Sequence, residues 1–407
     1  MAYIDETVES FLRRDGLPLS RITLGAVDRE GNLNYAKCFG GNNEEACRAD
    51  DVHWIASATK FITSIAVMQC VEKGLLDLDA DISAVLPEWK DPQILTGFSE
   101  NNEPQFRAAK QTLTLRHLLT HSSGMAYAFM HPLSTRYQEL QGERPAVLQT
   151  VRETFYTFLV FEPGEQWLYG PGLDWAGLMV ENVTGLKLGE YMEKNIFHPV
   201  GARDITFHLD KRPDLRARKV KLWERDQDSL KEKTVSRMPD PVIDDFGGGG
   251  LYATVNDLLK VYLGVLQGRM LQPETLQLMF QPHLQSRRGL DKQEDHVLAT
   301  RNAIYNAIPS TVPVDYGLSG LLNTIEVPGA RSQYSLSWSG LPNCYWVNSI
   351  PIFLYRRFLG LPLTSRQWID VKKGVAGVYL SQLLPTGDQR AVDLLAEFER
   401  AVYAVLG

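Results

Sequence analysis

The chain has 407 residues, a formal net charge of −7 and a hydrophobic content of 44%. These values are ordinary for a globular protein with a sizeable core, and the length fits one large unit or two lobes. The negative charge leaves no basic face for nucleic acid or an anionic membrane. No apolar segment reaches transmembrane length without a charge, so no membrane partner is expected.

Two features bear on the compartment. Residues 1–20 contain several acidic residues and lack a basic start followed by an apolar core, which predicts no secretory signal. The cysteines show no CxxC spacing, which disfavours both a disulfide framework and a zinc site; they are Cys38, Cys47, Cys70 and Cys344. We therefore expect reduced cysteines, no metal and a cytoplasmic protein.

The N-terminal part predicts a helix, a hairpin and a buried helix, in that order. Residues 5–14 have a helical pattern, and strands at 21–27 and 33–39 flank a turn-forming stretch, which is typical of a β-hairpin. Residues 57–73 carry apolar side chains all round the helical wheel, which predicts a helix buried on nearly every face. Gly74 is a natural C-cap for it.

The pattern changes in the middle of the chain and again near its end. Residues 75–310 are mostly helical, with polar loops near 90–112 and 222–240 and a helix that begins at Thr112 or Thr114. Strands then return, and an amphipathic helix ends the chain; the segments are 316–327, 332–339, 343–346 and 368–380 for the strands and 388–406 for the helix.

Strands at both ends with helices between them predict an α+β fold. An antiparallel sheet flanked by the N- and C-terminal helices would form an α/β lobe from residues 1–76 and 311–407. A mainly helical lobe, residues 77–310, would be inserted into it.

Lys60 is the only charged residue between Trp54 and Val71, and it lies three residues after Ser57. An unpaired buried ammonium is costly, so Lys60 needs a partner or a lowered pKa. Residues i and i+3 share a helix face, which puts Ser57 one turn from an amine that can take its proton. One S-x-x-K arises by chance in a chain of this length, and a snorkelling lysine beside an N-cap serine has the same pattern.

Further segments give this motif a context. In chain order, the sequence contains Ser57-Ala58-Thr59-Lys60, the block 113–124, Tyr169-Gly170-Pro171 and the glycine-rich block 246–251. This order resembles the serine β-lactamase and penicillin-binding-protein superfamily, and more narrowly its class-C-like esterases and fungal transesterases of the lovastatin-pathway type. The resemblance runs from about residue 20 to the C-terminus and implies a class C β-lactamase-like fold without a cofactor.

The resemblance also implies the catalytic residues Ser57, Lys60 and Tyr169. A phenol has an ordinary pKa near 10, and a neighbouring ammonium favours its phenolate, so Tyr169 and Lys60 could share the role of general base. Without that context, a packing role beside Trp167 is the favoured interpretation of Tyr169. The implied oxyanion hole consists of the backbone N–H groups of Ser57 and Leu341.

The sequence departs from the β-lactamase pattern at two places. Pro171 stands where the lactamases carry an asparagine, so that side-chain amide is lost. Trp338-Ser339-Gly340 replaces the Lys-Thr-Gly triplet, which argues against β-lactam hydrolysis and for a neutral acyl or acceptor group. Candidate substrate contacts are Tyr127, Trp338, Ser339 and Gly340, although Tyr127 and Trp338 fit the core equally well.

Two other patterns receive structural interpretations. His117 and His121 have the i, i+4 spacing of metal ligands, but no third ligand accompanies them. Gly247–Gly250 is not followed by Lys-Ser/Thr, so it is no P-loop, and close backbone packing explains it better.

Residues 347–367 interrupt a strand pattern that resumes at Trp368. Deleting them joins Tyr345-Trp346 to Trp368-Ile369 and restores an uninterrupted strand–turn–strand pattern. The segment begins with Val, whose codons start with GT, and ends with Gln, for which CAG is one codon. We interpret it as a retained intron, with a lineage-specific loop as the alternative.

The sequence therefore predicts a serine acyltransferase that works through an acyl-Ser57 intermediate. The resemblance implies an acyl carrier protein- or coenzyme A-bound thioester as donor and a hydroxyl of a secondary metabolite as acceptor. A carboxylic-ester hydrolase of the same fold is the first alternative, and a non-catalytic ligand-binding relative is the second.

Overall fold

The computed structural model describes residues 1–15, 21–40, 47–142, 145, 147–227, 229–233, 238–318, 320–340, 364–385 and 387–407. The helices of these residues are α1 (Ala2–Asp15), α2 (Thr59–Glu72), α3 (Leu115–Leu119), α4 (Pro132–Leu140), α5 (Val151–Thr154), α6 (Gly172–Thr184), α7 (Leu188–Met192), α8 (His198–Val200), α9 (Pro213–Arg216), α10 (Val255–Leu266), α11 (Pro273–Met279), α12 (Leu298–Tyr305) and α13 (Gln389–Leu406).

In chain order, the strands begin with the N-terminal hairpin and end shortly before the C-terminal helix. They are β1 (Ile22–Asp28), β2 (Asn34–Phe39), β3 (His53–Trp54), β4 (Gln93–Phe98), β5 (Pro104–Ala108), β6 (Phe158–Leu159), β7 (Ile205–Thr206), β8 (Leu222–Asp226), β9 (Ser229–Lys233), β10 (Tyr252–Ala253), β11 (Val314–Gly317), β12 (Gly320–Asn323), β13 (Leu336–Ser339), β14 (Thr364–Asp370), β15 (Val375–Ser381) and β16 (Leu383–Leu384).

A seven-stranded antiparallel sheet organises the fold, in the order β11-β12-β13-β14-β15-β1-β2. Its strands come from both ends of the chain. Helices α1 and α13 pack against each other, and α10 packs against β1 and β15. Gly25 in β1 allows this close approach, because a Cβ there would lie 2.5 Å from Val255 Cγ2. The α+β class with an antiparallel sheet and terminal helices is confirmed.

The predicted elements at the two ends agree with the structure, with two differences. The N-terminal hairpin is β1 paired with β2, and the C-terminal helix is α13. The single strand predicted at 316–327 is two antiparallel strands, β11 and β12, with Gly317 opposite Gly320. The single strand predicted at 368–380 is two antiparallel strands, β14 and β15, because Gly374 turns the chain at a positive φ of 68°. The strand predicted at 343–346 lies outside the described residues.

Both predicted polar loops contain strands. β4 pairs with β5 in the first, and β8 pairs with β9 in the second. Every residue of β5 is exposed, so the alternation of apolar and polar residues that reveals a half-buried strand is absent there. The division into lobes at residues 77 and 310 stays a prediction, although α10, from the predicted helical lobe, packs on the main sheet.

The expectation of four reduced cysteines is wrong. Cys38, at the end of β2, is joined to Cys47 in a disulfide with a Cα–Cα distance of 5.7 Å. The fold brings the two cysteines within bonding distance, which their separation of nine residues in the sequence does not predict. The cysteine pattern therefore no longer argues for a reducing compartment. Cys70 is a buried free thiol, as its place in the apolar helix suggests.

Most of the suspected insertion lies outside the described residues, but its last four residues do not. Residues 364–367 form the first half of β14, between β13 and β15. If residues 347–367 are deleted, residues 343–346 come directly before Trp368 and occupy the same four places in the strand.

Candidate active site

Ser57 lies in a single 3₁₀ turn, Ala56–Ala58, that leads directly into α2. Ala56 has a φ of +44°, an unusual value for a residue with a Cβ, so the chain turns sharply just before the serine. Apolar residues surround α2 on every side, and Lys60 in its first turn is fully buried. The buried helix predicted at 57–73 is therefore confirmed.

The Lys60 ammonium contacts three oxygen atoms. Its Nζ lies 3.1 Å from Ser57 Oγ, 2.5 Å from the Gly248 carbonyl oxygen and 3.2 Å from the Tyr127 hydroxyl. An ammonium has three N–H donors, so this set satisfies the charged form. A neutral amine can donate to Gly248 and Tyr127 and accept the Ser57 proton, so the same set suits the neutral form.

Burial dominates the electrostatics of this lysine. It lowers the pKa of Lys60 to about 7, against the opposing attraction of the Asp174 carboxylate. Burial likewise raises the pKa of Asp174 to about 6, while Lys60 and the N–H of Gly248 act in the opposite direction. A lysine with a pKa near 7 is a competent general base at neutral pH, whereas an exposed lysine is almost fully protonated.

Tyr169 completes the contacts of Ser57. Its hydroxyl donates a hydrogen bond to Ser57 Oγ, and Lys60 Nζ lies 4.8 Å from the centre of its ring. Ser57 Oγ is thus held between an amine and a phenol. The structure therefore brings together the three side chains that the sequence predicted as catalytic.

The loop that carries Tyr169 is held close to the end of α3. The N–H of Leu168 donates to the His121 carbonyl at 2.8 Å, and the N–H of Gly170 lies 3.3 Å from His121 Nδ1. Glycine is required at Gly170 and Gly172, because a Cβ at either would collide with the backbone of Met125 or Leu118. This packing explains why the loop and the block at 113–124 depend on each other.

The glycine block packs against the start of α2, as predicted. The Gly247 carbonyl accepts from Thr63 Oγ1 at 2.7 Å, and the Gly249 carbonyl accepts from Trp54 Nε1 at 2.6 Å. With Gly248 bound to Lys60, three successive carbonyls point at the segment around the nucleophile. The block positions the lysine and shows no sign of a phosphate cradle.

The predicted substrate contacts lie in different surroundings in the structure. Trp338 is fully buried and packs on Tyr169, with ring centres 5.1 Å apart. This packing restricts the position of the tyrosine ring. The Ser339 hydroxyl donates to the Ala303 carbonyl, so we do not propose it as a substrate contact. Gly340 lies against Ala56, and its N–H donates to the Ser365 carbonyl. Leu341 lies outside the described residues.

Sequence reasoning missed two functions in this network. Tyr127 was predicted as a pocket wall, but its hydroxyl contacts Lys60 and lies within hydrogen-bonding reach of Asp174. Asp174 was not singled out at all. It is the one charged residue in the buried stretch Gly172–Val180 of α6, the same signal that drew attention to Lys60.

The two histidines have structural roles. His117 caps α3, where its Nδ1 accepts from the N–H of Thr114 at 3.2 Å. His121 is buried among aromatic rings and holds the Tyr169 loop. Within the part of the chain that the structure describes, the one cluster of three potential metal ligands is Cys38, Cys47 and Asp51, and its two thiols are joined to each other. None of the described helices is long and apolar enough to cross a bilayer.

Comparisons with known proteins match one family model and several relatives over most of the chain. The beta-lactamase family model matches residues 26–298. Monacolin J acid methylbutanoyltransferase from Aspergillus terreus is 34% identical over 95% of this chain and 92% of its own. Lovastatin esterase from Penicillium rubens is 36% identical over 93% of this chain and 92% of its own.

Solved structures give the same result. Simvastatin synthase from Aspergillus terreus, as the LovD6 mutant, aligns with a TM-score of 0.82 and 31% identity over 100% of this chain and 98% of that one. EstCE1, described as a hydrolase with promiscuous acyltransferase activity, shares the fold at a TM-score of 0.70 and 17% identity. The chain therefore belongs to the β-lactamase family, and its similar relatives include acyltransferases and an esterase of that family.

Proposed function

We propose that the protein is a serine acyltransferase in which Ser57 carries the acyl group. The observation that carries this proposal is the position of Ser57 Oγ, which contacts both Lys60 Nζ and the Tyr169 hydroxyl inside the protein. A serine between a base with a lowered pKa and a phenol is an activated nucleophile. The similarity to a methylbutanoyltransferase over nearly the whole chain supports transfer of an acyl group.

The first half-reaction forms the acyl-enzyme. Ser57 Oγ attacks the carbonyl carbon of a thioester or ester, and its proton passes to neutral Lys60. The C–S or C–O bond of the donor then breaks, and the leaving group takes a proton from the Lys60–Tyr169 pair. As predicted from the resemblance, the backbone N–H groups of Ser57 and Leu341 are the proposed donors to the tetrahedral anion.

The second half-reaction releases the acyl group. An alcohol gives its proton to the same pair, attacks the acyl-Ser57 carbonyl, and Ser57 recovers its own proton as the ester bond to it breaks. We propose a hydroxyl of a secondary metabolite as the acceptor and a thioester on a carrier protein or coenzyme A as the donor. Tyr127 and Gly340 remain the proposed substrate contacts. The cytoplasmic location stays a prediction.

Ester hydrolysis is the second candidate, because lovastatin esterase is as similar to this chain as the transferase is. The two functions differ only in whether water or an alcohol attacks acyl-Ser57, which depends on how well the pocket excludes water.

The test is the fate of a short acyl thioester mixed with the protein, with and without a panel of alcohols. Transfer predicts ester products that form faster than the free acid. Acid formed at the same rate whether or not alcohols are present would identify a hydrolase. Ser57→Ala is the control for background reaction, and no labelling of Ser57 by any activated ester would support a ligand-binding relative.

A further inference from the structure

Asp174 is a buried carboxylate that the proposed chemistry does not use. It lies in the first turn of α6 and is 2% exposed. Its Oδ1 accepts the N–H of Gly248 at 2.8 Å. A Cβ at Gly248 would collide with the same carboxylate, so glycine is required there.

The contacts of Asp174 are also the contacts of Lys60. Gly248 gives its N–H to Asp174 and its carbonyl to Lys60. Tyr127 lies within hydrogen-bonding reach of Asp174 and accepts from Lys60. If the Tyr127 proton is committed to Asp174, the phenol oxygen can only accept from the amine. Two of the three directions around Nζ are therefore fixed, and the third points at Ser57 Oγ.

We propose that Asp174 is a positioning residue that orients the Gly248 carbonyl and the Tyr127 hydroxyl and thereby directs Lys60 toward Ser57. The consequence for catalysis rests on the proposed function. The orientation itself does not, because it concerns the amine whether or not an acyl group is transferred.

Asp174→Asn tests the proposal with little change in shape. The amide NH₂ would donate to the Tyr127 oxygen, and the Tyr127 proton would turn toward Lys60 and occupy the lone pair that should accept from Ser57. Among the described residues that face Lys60, the variant also removes the one carboxylate, since the other titratable neighbours are His121, Tyr127 and Tyr169.

The primary measurement is the titration of Lys60 by NMR, with the signal identified by its loss in Lys60→Met. We expect the Lys60 midpoint to fall by about one pH unit or more in Asp174→Asn, because the carboxylate stabilises the ammonium. An unchanged midpoint would overturn the proposal. This result does not depend on activity, so failure of the proposed function would be seen separately, as a wild-type protein that forms no acyl-Ser57.

The second measurement is the rate of Ser57 acylation at a pH where Lys60 is neutral in both proteins. We expect a loss of about 100-fold or more in Asp174→Asn, and no further loss when Tyr127→Phe is added, because the two residues act in one chain of contacts. If the rate losses of Asp174→Asn and Tyr127→Phe add up in the double variant, the two residues act independently and the proposed series of contacts is contradicted. Asp257→Asn is the matched control: Asp257 is a buried acid that accepts the N–H groups of Arg203 and Asp204 and pairs with Lys260, and its replacement should leave the Lys60 titration unchanged.

A separate observation concerns β14. Arg366 is 1% exposed, and none of its three guanidinium nitrogens has a hydrogen-bond partner among the described residues. Gln367 beside it is 2% exposed; its Oε1 accepts a hydrogen bond from the Tyr262 hydroxyl, and its amide nitrogen has no partner among the described residues. An unpaired buried guanidinium is among the least favourable groups a sheet can contain. Both residues belong to the segment 347–367.

Deleting that segment moves Tyr345 and Trp346 into these two places. In this register, Tyr345 replaces Arg366 opposite Tyr379, and Trp346 replaces Gln367 opposite Trp338. Two aromatic side chains suited to a buried sheet then replace a guanidinium that has no partner among the described residues and an amide that is only half satisfied. The ends of the segment fit GT and CAG, and Leu363-Thr364 can be encoded by CTAAC, a branch-point sequence.

We infer that residues 347–367 are absent from the functional protein, which has Tyr345-Trp346 followed directly by Trp368. The test is the sequence of the spliced messenger RNA across this point, together with thermal unfolding of both forms expressed side by side. We expect mature transcripts that lack the segment, and a higher melting temperature for the shorter form. Mature transcripts that all retain the 63 nucleotides, or a longer form that is the more stable, would contradict the inference.

Discussion

Lys60 is fully buried, and the loss of its proton is the event on which acylation depends. Because burial lowers its pKa to about 7, the neutral amine is present at physiological pH. The rate of Ser57 acylation should therefore rise with pH through a midpoint near 7. Initial rates between about pH 5 and about pH 9 measure this. A rate that still climbs steeply at the upper end would show that the base has the ordinary pKa of an exposed lysine.

The hydroxyl of Tyr169 makes a separate contribution, and a second buried tyrosine provides a matched control. Tyr169→Phe should lower the acylation rate by about 100-fold or more, because it removes the donor to Ser57 Oγ but keeps the ring. Tyr316 lies in the same aromatic cluster, and its hydroxyl has no partner among the described residues. Tyr316→Phe should leave the rate within about twofold. Equal losses would mean that Tyr169 only packs.

The sequence revealed Ser57 and Lys60 because their relation is local. A charge in an apolar helix and an i, i+3 spacing can both be read from neighbouring residues. Tyr127 could not be assigned to Lys60 in this way, since 67 residues separate them and the contact depends on the fold. Asp174 carried a readable signal, an acid between Leu173 and Trp175 in a buried helix. The rule applied to Lys60 would have found it.

At the scale of single elements, the cap of α3 supports the block that holds Tyr169. The Thr114 side chain accepts from the N–H of His117, and His117 accepts in return from the N–H of Thr114. Thr114→Ala should lower the free energy of unfolding by about 1 kcal/mol. Thr112, the alternative cap, is exposed, and Thr112→Ala should change it by less than about 0.5 kcal/mol. Denaturant unfolding compares the two variants. A larger effect at Thr112 would show that Thr112, and not Thr114, caps the helix.

Two buried arginines near the C-terminal end of the chain, Arg331 and Arg366, differ in their hydrogen-bond partners. Arg331 makes two hydrogen bonds to Glu399, at 2.6 and 2.8 Å, whereas Arg366 makes none with described residues. In the full-length chain, Arg331→Met should destabilise by about 3–5 kcal/mol, because it leaves Glu399 buried and unpaired. Arg366→Met should stabilise by about 1–3 kcal/mol. Thermal unfolding of both variants decides this, and a destabilising Arg366→Met would show that the arginine belongs in β14.

Periodicity predicted those elements whose burial is regular and missed those whose burial is not. The terminal helices, the hairpin β1–β2 and the buried α2 have clear patterns, and all are present. β5 and β9 are mostly exposed, so their residues carry no alternation and the segments resemble loops. The disulfide was missed for a related reason: whether two cysteines can bond depends on their distance in the folded protein, which the sequence pattern does not give.

Across the whole molecule, the main sheet joins the two ends of the chain, and the segment between them supplies most of the active site, largely from its loops. Ser57 and Lys60 precede the long middle segment, whereas Tyr127, Tyr169, Asp174 and Gly248 all lie within it. The site therefore exists only when these parts are packed together. The family resemblance predicted this arrangement, while composition and periodicity alone reached only the fold class.

The most direct test of the account is the intact mass of the protein after brief exposure to a short acyl thioester, with the site located by peptide mapping. The wild-type protein should gain one acyl group on Ser57, Lys60→Met should gain it more slowly by about 1,000-fold or more, and Ser57→Ala should gain none. Acylation of Ser57 in Lys60→Met at the wild-type rate, or of another residue in the wild type, would contradict the claim that Lys60 makes this serine reactive.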